Sequence, residues 1–421
     1  MQQKGKAYQT EIFLFFILIG CVALAGGLND SVFANYYKEV YHVTSAQRGF
    51  IEVPREFPGV VCSLIIAVLS SLGDLRVALI AQILSCLGIT VLGFWTPSFG
   101  TMLIFLFINS LGAHLFLPIQ DSIGMSLAEP SQVGKRMGQY ASLRSALGVA
   151  ASALVFLGFR FGVFSFASPI AVFLISACVF AVAALVAILL VKRRGTAPGE
   201  RKKVRFIFRK QYKYFYLLTV FNGVKKQIAF VYGSWVIVDI LLKGTDVMAL
   251  LTIATSFISI FFTQYFGRWL DRFGAKKMMY AEALIFIPLY VVYGLVVWGV
   301  DKSFLPMAGW PVVILYLFYV LDRMSMNMSI VRSIYLRTIA LEDEEVTPAL
   351  STGVSLDHIV AMIAASLCGL IWELFGSQWV FFIAAFFSVG NLIVAHLVQP
   401  EKERAYAEEY RRQKHEAISG D

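Results

Sequence analysis

The sequence has few charged residues and few cysteines for its length. Only 15% of the 421 residues are Asp, Glu, Lys or Arg, while 58% are hydrophobic. Soluble proteins carry about a quarter charged residues, so this composition excludes a water-soluble globular protein. The cysteines show neither metal-ligand nor redox spacing, and we interpret them as small packing residues in apolar segments. They are Cys21, Cys62, Cys86, Cys178 and Cys368.

Motifs for catalysis and for nucleotide binding are also missing from the sequence. No Gly-rich Walker-type loop is present, and no polar stretch is long enough to form a domain that would hold one. This excludes a pump that hydrolyses its own ATP. No clustered catalytic set lies at either end of the apolar segments, so the sequence predicts neither an enzyme nor a cofactor nor a metal site.

Long apolar runs recur from one end of the chain to the other. A helix needs about 20 residues to cross a hydrocarbon core about 30 Å thick, and the runs predict twelve such spans. The first run is too long for a cleavable signal and lacks a small-residue cleavage site. The fold class is therefore an all-α polytopic membrane protein. The predicted spans cover residues 12–36, 49–72, 77–96, 101–126, 137–159, 168–191, 212–240, 247–266, 278–299, 312–336, 349–372 and 377–398.

Positive charge is concentrated in alternate loops, which explains the net charge of +9 without nucleic acid. Ten Lys or Arg residues lie between residues 192 and 213, in what we interpret as a basic cytoplasmic linker. By the positive-inside rule, both termini are cytoplasmic and the protein lies in the cell inner (plasma) membrane. The predicted organisation is a first half (1–191), the linker (192–211), a second half (212–398) and a cytoplasmic tail (399–421).

One short basic loop between two spans is family-specific. Residues 267–277 follow the pattern Gly-x-x-x-Asp-Arg-x-Gly-x-Lys-Lys, which resembles the loop signature of the major facilitator superfamily. The resemblance implies two pseudo-symmetric six-helix halves and a secondary active transporter that works by alternating access. It also implies that this second-half loop takes part in the inner gate. The matching positions are Gly267, Asp271, Arg272, Gly274, Lys276 and Lys277.

The first half has a degenerate copy of this loop at residues 70–76. We align its Asp74 with Asp271; it also keeps Arg76 but lacks the Phe-Gly and the lysine pair. In the second-half loop, Gly267 is expected to allow close backbone approach and Gly274 to permit a tight turn. We therefore expect the second-half loop to be the stronger inner latch.

The first span of each half contains polar residues in matching order. Asp30 corresponds to Lys226, which follows Lys225, and Tyr36 corresponds to Tyr232. In the superfamily, these helices line the central cavity, so the resemblance implies that they face substrate. Adjacent lysines point about 100° apart on a helix, and we favour Lys226 as the one facing the cavity. An Asp30–Lys226 bridge that only holds the halves together is the alternative. The polar Asn29 and Asn222 join this candidate set.

Two further matched positions exchange their signs between the halves. Asp121 and Arg144 lie at similar depth in the first half, and Arg332 and Asp357 take the corresponding places in the second. An ionisable residue inside a span needs a partner, a cavity or a function. These residues are either structural ion pairs or a latch that re-pairs between the halves, and Asp357 is a candidate proton carrier.

The start of the second span carries Glu52, Arg55 and Glu56 on one helical face. They form either an ion pair at the outer rim or a protonation site open to the outside. Weaker candidates are Glu282, which we place close to the inner interface, and the neighbours Asp322 and Arg323 in the tenth span.

We expect a transporter for a small polar organic solute, with H⁺ as the co-transported ion. The mixture of lysines, arginines and acids suits an anionic or zwitterionic substrate. The alternative is a multidrug/proton antiporter that exports amphipathic compounds, although the fifth span lacks the Gly-Pro pair usual in such exporters. The expected partners are the solute, the ion and the lipid bilayer, and the expected state is a monomer.

Overall fold

The structure is a computed structural model that describes residues 2–129, 132–194 and 206–419. Within these residues every regular element is helical and no strand is found. Residues 195–205, the middle of the predicted linker, lie outside the described residues. The predicted all-α fold is confirmed.

Seven α-helices form the first part of the chain. The second predicted span is divided between the six-residue α2 and the longer α3, and α3 ends in a short 3₁₀ turn at Ser70–Leu72. Proline at position 58 is accommodated inside α3. The helices are α1 (Gln2–Tyr41), α2 (Ser45–Phe50), α3 (Glu52–Leu69), α4 (Asp74–Phe94), α5 (Phe99–Ser126), α6 (Val133–Arg160) and α7 (Ala171–Arg194).

Seven more α-helices follow, and two of the spans they build are irregular. The seventh span begins as α8 and continues through π-helical turns at Ile228–Gly233 and Val236–Ile240. The tenth span is α10 and α11 with a 3₁₀ turn, Met326–Ser329, between them. The helices are α8 (Lys213–Gln227), α9 (Thr245–Asp301), α10 (Trp310–Ser325), α11 (Ile330–Ile339), α12 (Asp343–Phe375), α13 (Gln378–Leu397) and α14 (Pro400–Ser419).

The helices agree with twelve spans. In the described part of the chain, nine helical segments are long and apolar enough to cross a bilayer. One of them, Thr245–Asp301, is bent at Gly274 and contains both the eighth and the ninth span. The irregular helices starting at Lys213 and Trp310 supply the remaining two. The bend falls inside the loop that resembles the superfamily signature.

The chain divides into two compact units. Unit 1 comprises Met1–Val43, Pro54–Lys203 and Lys243–Ser256. Its core contains Phe15 of α1, whose ring meets that of Tyr140 of α6 edge-on at 5.1 Å. The helices α4 and α5 are joined by a buried hydrogen bond of 2.9 Å from Asn109 Nδ2 to the Ser85 carbonyl. Such hydrogen bonds between helices stabilise packing where lipid removes the usual hydrophobic driving force.

Unit 2 comprises Thr44–Val53, Val204–Leu242 and Phe257–Asp421. The short helix α2 therefore packs with the second half, an arrangement that the sequence did not predict. Trp235 Nε1 donates to Ser45 Oγ at 3.1 Å. A Cβ at Gly49 would lie 2.5 Å from the hydroxyl of Tyr232, so only glycine allows α2 to approach this closely.

Candidate functional site

The candidate site is built around α8, where two adjacent lysines precede the π-helical turns. Lys225 is 3% exposed, while Lys226 is partly exposed. The two side chains diverge, as neighbouring positions on an α-helix must. π-helical turns are rare and occur frequently at functional sites. The irregular part of the seventh span is therefore a candidate functional segment.

Lys225 forms a buried ion pair with α9. Its Nζ lies 2.8 Å from Glu282 Oε1, and the two side chains are 3% and 9% exposed. The ring of Phe286 lies 5.3 Å from the same Nζ and covers the pair. Glu282 is buried beside a lysine, and its position near the inner interface stays a prediction. Removing one partner of such a pair would leave an uncompensated charge in an apolar environment.

Lys226 forms a second ion pair, with Asp357 of α12. The side chains are 28% and 20% exposed, so this pair is more accessible than the first. A Cβ at Gly223 would lie 2.9 Å from Asp357 Oδ1, so the glycine makes room for the carboxylate. The sequence proposed Asp30 as the counterpart of Lys226; within unit 2, its partner is Asp357. Asp30 is an exposed residue of α1.

Arg332 of α11 interacts with one carboxylate of each pair. It interacts electrostatically with Glu282 and with Asp357, so it adds positive charge beside both carboxylates. The sequence analysis paired Arg332 with Asp357. In the structure the two interact electrostatically, but the ion-pair partner of Asp357 is Lys226.

A buried carboxyl group lies on the neighbouring tenth span. Asp322 is 1% exposed, and its Oδ1 accepts a hydrogen bond of 2.5 Å from the Tyr290 hydroxyl. Its Oδ2 has no hydrogen-bond partner among the described residues. Lys225 and Arg323 interact with it electrostatically. The sequence analysis did not predict that Tyr290 bonds to Asp322. An acidic residue within an apolar run was the one sequence feature that indicated a buried carboxyl group here.

Arg323 lies against aromatic rings and the irregular part of the seventh span. Its guanidinium carbon is 4.4 Å from the ring centre of Phe230 and 5.2 Å from that of Tyr319. Its Nη2 also donates to the Phe230 carbonyl at 3.4 Å. Cation–π contacts of this kind stabilise a desolvated guanidinium. We call the following residues the second-half cluster: Lys225, Lys226, Glu282, Asp322, Arg323, Arg332 and Asp357.

A separate buried polar contact lies near the start of the second span. Glu52 is fully buried; its Oε1 is 2.6 Å from Arg48 Nη1 and its Oε2 accepts from Gln227 Nε2 at 3.2 Å. The sequence did not predict Arg48 or Gln227 as partners. Arg55 and Glu56 are half-buried on α3 in unit 1. The buried position of Glu52 does not fit a carboxylate exposed at an outer rim.

Several predicted substrate contacts form hydrogen bonds within the protein, and their role towards substrate stays a prediction. Tyr232 donates to the Ala365 carbonyl at 2.5 Å, and Asn222 exchanges hydrogen bonds with Asn391 at 3.2 and 3.4 Å. Tyr36 is buried, with its hydroxyl 3.2 Å from that of Tyr41. Asn29 is also buried, and its Oδ1 has no hydrogen-bond partner in the described part of the chain. Asn29 is therefore the polar candidate that packing leaves unexplained.

In the first half, the contact predicted between Asp121 and Arg144 is present. Arg144 Nη1 lies 3.4 Å from Asp121 Oδ1, with side chains 33% and 49% exposed. This pair is far more accessible than Lys225–Glu282. Its role as a latch stays a prediction.

The second-half loop, just before the ninth span, forms hydrogen bonds with the end of the twelfth span. Lys276 Nζ donates to the carbonyls of Val398 at 2.6 Å and of His396 at 3.3 Å, at the C-terminal end of α13. A lysine there satisfies terminal carbonyls and matches the helix dipole. Asp271 and Lys277 are exposed.

The glycines of this loop differ in role. Gly274 has φ 77° and ψ 163°, a conformation essentially restricted to glycine, as the predicted tight turn requires. The close approach expected at Gly267 was wrong, because among the described residues a Cβ there would meet nothing within 4 Å. Arg272 lies over the neighbouring Phe273 ring at 5.3 Å.

The first-half loop contains the same turn. Gly73 has φ 77° and ψ 153°, nearly the values of Gly274, so the aligned residue of Asp271 is Ser70 and not Asp74. The first-half loop therefore keeps the turn glycine, as Gly73, and has Ser70 in place of the aspartate. The sequence analysis had inferred that the aspartate was kept and the glycine was lost. Asp74 begins α4 and accepts a hydrogen bond of 2.5 Å from Ser122 Oγ. Arg76 is exposed.

Twelve apolar spans with charged residues paired inside them define a multi-pass membrane protein. The sequence matches the family model described as Major Facilitator Superfamily over residues 15–339. The chain belongs to this superfamily, and it is a transporter and not an enzyme. No curated protein matches the sequence significantly.

Solved transporter structures share the fold. A variant of the nucleoside transporter NupG has a TM-score of 0.74 at 13% identity, covering 92% of this chain and 99% of that chain. A POT family transporter in complex with a thioalcohol-conjugated peptide gives 0.70 at 11% identity, covering 92% and 94%. A D-xylose–proton symporter gives 0.66 at 15% identity, covering 94% and 99%. At these identities the likeness concerns the fold alone.

Proposed function

We propose that the protein moves a small polar organic solute by alternating access and couples this movement to protons. The observation that carries the proposal is the second-half cluster, in which carboxylates and cations lie within apolar spans. Ionisable residues inside a membrane are costly, and they mark ion paths, proton relays and substrate sites. The cluster would supply both the proton site and the polar contacts of the solute.

The proton step is assigned to the Lys226–Asp357 pair. Its side chains are 28% and 20% exposed, whereas those of Lys225 and Glu282 are buried, so it is the more accessible of the two pairs. Protonation of Asp357 removes its negative charge and releases Lys226, which can then bind an acceptor group of the solute. Deprotonation re-forms the pair, helped by Arg332 beside the carboxylate. The proton and the solute are thereby linked through one lysine.

The proposed substrate class is polar and either anionic or zwitterionic. A site with four cations among its charged side chains favours a solute with acceptor groups over an amphipathic drug. The fold neighbours include a nucleoside transporter and a D-xylose–proton symporter, and nucleosides and D-xylose are polar organic solutes. The alternative of multidrug export has less support.

The topology proposal rests on the distribution of Lys and Arg. The halves span residues 1–191 and 212–398, joined by the basic linker 192–211, with the tail 399–421 and the N-terminus in the cytoplasm. The protein would work as a monomer in the inner membrane.

Transport in proteoliposomes tests the coupling. Purified protein is reconstituted with a pH-sensitive dye inside, a pH gradient is imposed, and uridine, D-xylose and dialanine are supplied in turn. We expect one solute to produce a solute-dependent proton flux. Asp357→Asn should abolish this flux but keep solute exchange at equal pH on both sides. The matched control is Asp301→Asn, at the end of α9, which should behave as wild type.

Two results would count against the proposal. Solute uptake by the wild type that ignores the pH gradient would remove the coupling. Proton-driven uptake that survives in Asp357→Asn would move the proton site away from this pair.

A further inference from the structure

A cavity lies at the start of the eighth helix, outside the second-half cluster. Its volume is about 480 Å³, and it is formed by the end of the linker, the first turn of α8, the segment between α11 and α12, and the tail helix α14. All of these elements belong to unit 2. The residues that line it are Arg209, Lys210, Gln211, Lys213, Tyr214, Leu341, Glu403 and Tyr406.

The cavity carries surplus positive charge. Arg209 is held by Glu345, with Nε 2.7 Å from Oε1, and its charge is matched there. Lys210 and Lys213 are exposed and form no ion pair with a described residue. Lys213 Nζ lies 4.6 Å from the ring centre of Tyr214, which fixes its direction without neutralising it. Two ammonium groups are therefore available to an anion.

A single carboxylate, Glu403, opposes this charge among the lining residues. Its Oε2 accepts a hydrogen bond of 2.9 Å from the Tyr335 hydroxyl. Burial raises the pKa of Glu403, while Lys213 and Lys276 act in the opposite direction. Since its oxygen is already engaged and its charge is shared with two lysines, Glu403 weakens the positive potential without reversing it.

Apolar side chains continue from the cavity along the same segment. Phe208 is 73% exposed and Phe206 is 50% exposed, directly before the lining residues, and Leu217 on α8 is 41% exposed. Aromatic residues and lysines together are typical of the boundary between hydrocarbon and headgroups. A ligand here would meet ammonium groups at one end and an exposed apolar surface at the other.

We propose that this cavity binds a phosphate group, supplied by the headgroup of an anionic phospholipid. The lysines contact the phosphate oxygens, while the exposed phenylalanines lie beside the acyl chains. A free phosphate offers the same oxygen acceptors without the chains, so the two sources can be separated by experiment. The site is independent of the transported solute.

The test uses the full-length protein in a neutral detergent. Short-chain phosphatidylglycerol is titrated, and binding is followed by the shift of the thermal unfolding midpoint, since a ligand that prefers the native state stabilises it. Short-chain phosphatidylcholine is the blank, and sodium phosphate at equal ionic strength is the second arm. Lys210→Gln with Lys213→Gln should weaken binding roughly 25-fold, because each lysine near an anionic headgroup contributes about fivefold. Glu403→Gln should tighten it.

The matched control is Lys402→Gln with Arg404→Gln. Both residues are exposed on α14 and neither lines the cavity, yet the change in net charge is the same. An equal loss in the control and in the cavity variant would overturn the site, because binding would then depend on overall charge alone. Sodium phosphate that binds as tightly as phosphatidylglycerol would overturn the headgroup as the source.

Discussion

The two halves of the chain carry their intramembrane charges differently. In the first half, Asp121 and Arg144 are 3.4 Å apart and 49% and 33% exposed. In the second half, Lys225 and Glu282 are 2.8 Å apart and 3% and 9% exposed. An exposed pair is weakened by solvent, whereas a buried pair becomes a liability once either partner is lost. Of these two pairs between helices, only the pair of the second half is buried, although the first half also contains the buried pair Arg48–Glu52.

The largest expected effect is the loss of the buried carboxylate. Glu282→Gln removes the ion-paired carboxylate of the buried Lys225 and leaves only the electrostatic interaction with Asp322. Breaking a buried pair in this way costs about 3–5 kcal/mol. Chemical unfolding in detergent micelles measures the change in unfolding free energy. Lys225→Met combined with Glu282→Leu removes both charges and should recover most of the loss. If Glu282→Gln is as mild as Asp121→Asn, the contrast between the halves is wrong.

The sequence predicted the architecture and part of the site. Apolar runs report the spans because every backbone group must be satisfied inside the bilayer, and the pattern around Gly274 predicted its turn. The pairing of Lys225 with Glu282 was not predicted. The depth of Glu282 in the membrane could be inferred only from the approximate start of the ninth span, and the sequence does not show which residues of two spans face each other. The loop alignment failed for another reason: Asp74 was matched by charge, whereas Gly73 has the backbone conformation that defines the turn.

The next effect compares the two loops through their turn glycines. Gly73 and Gly274 share a conformation with positive φ that side chains disfavour. Replacing either by Ala should therefore cost about 1–3 kcal/mol, measured by the same unfolding assay. Gly267→Ala is the control and should not destabilise the protein. Gly267 lies within the helical part of α9, where alanine is favoured over glycine by up to about 1 kcal/mol, and its Cβ would meet nothing within 4 Å among the described residues. Unequal losses at the two turns would show that the loops are not structural counterparts.

A smaller effect concerns the lysine that the second-half loop alone supplies. Lys276→Met removes the donor to the carbonyls of Val398 and His396 and should destabilise the protein by about 1 kcal/mol. The exposed neighbour Lys277→Met carries the same change of charge and should have less effect. The comparison is read from the unfolding midpoints of the two variants. If Lys277→Met is the more damaging, the loop is held by general positive charge and not by the helix cap.

The smallest expected effect is on the exposed first-half pair. Asp121→Asn should change the unfolding free energy by only about 0.2–1 kcal/mol, as accessible ion pairs do. The difference should vanish at 1 M salt, where the screening length is about 3 Å. The same unfolding assay at low and high salt measures both values. A salt-resistant loss well above this range would mean that Asp121 and Arg144 are buried together in another conformation. That outcome would favour the latch over the simple ion pair. It would also mean that both halves bury an ion pair in at least one conformation, so the difference in exposure between Asp121–Arg144 and Lys225–Glu282 would belong to one conformation only.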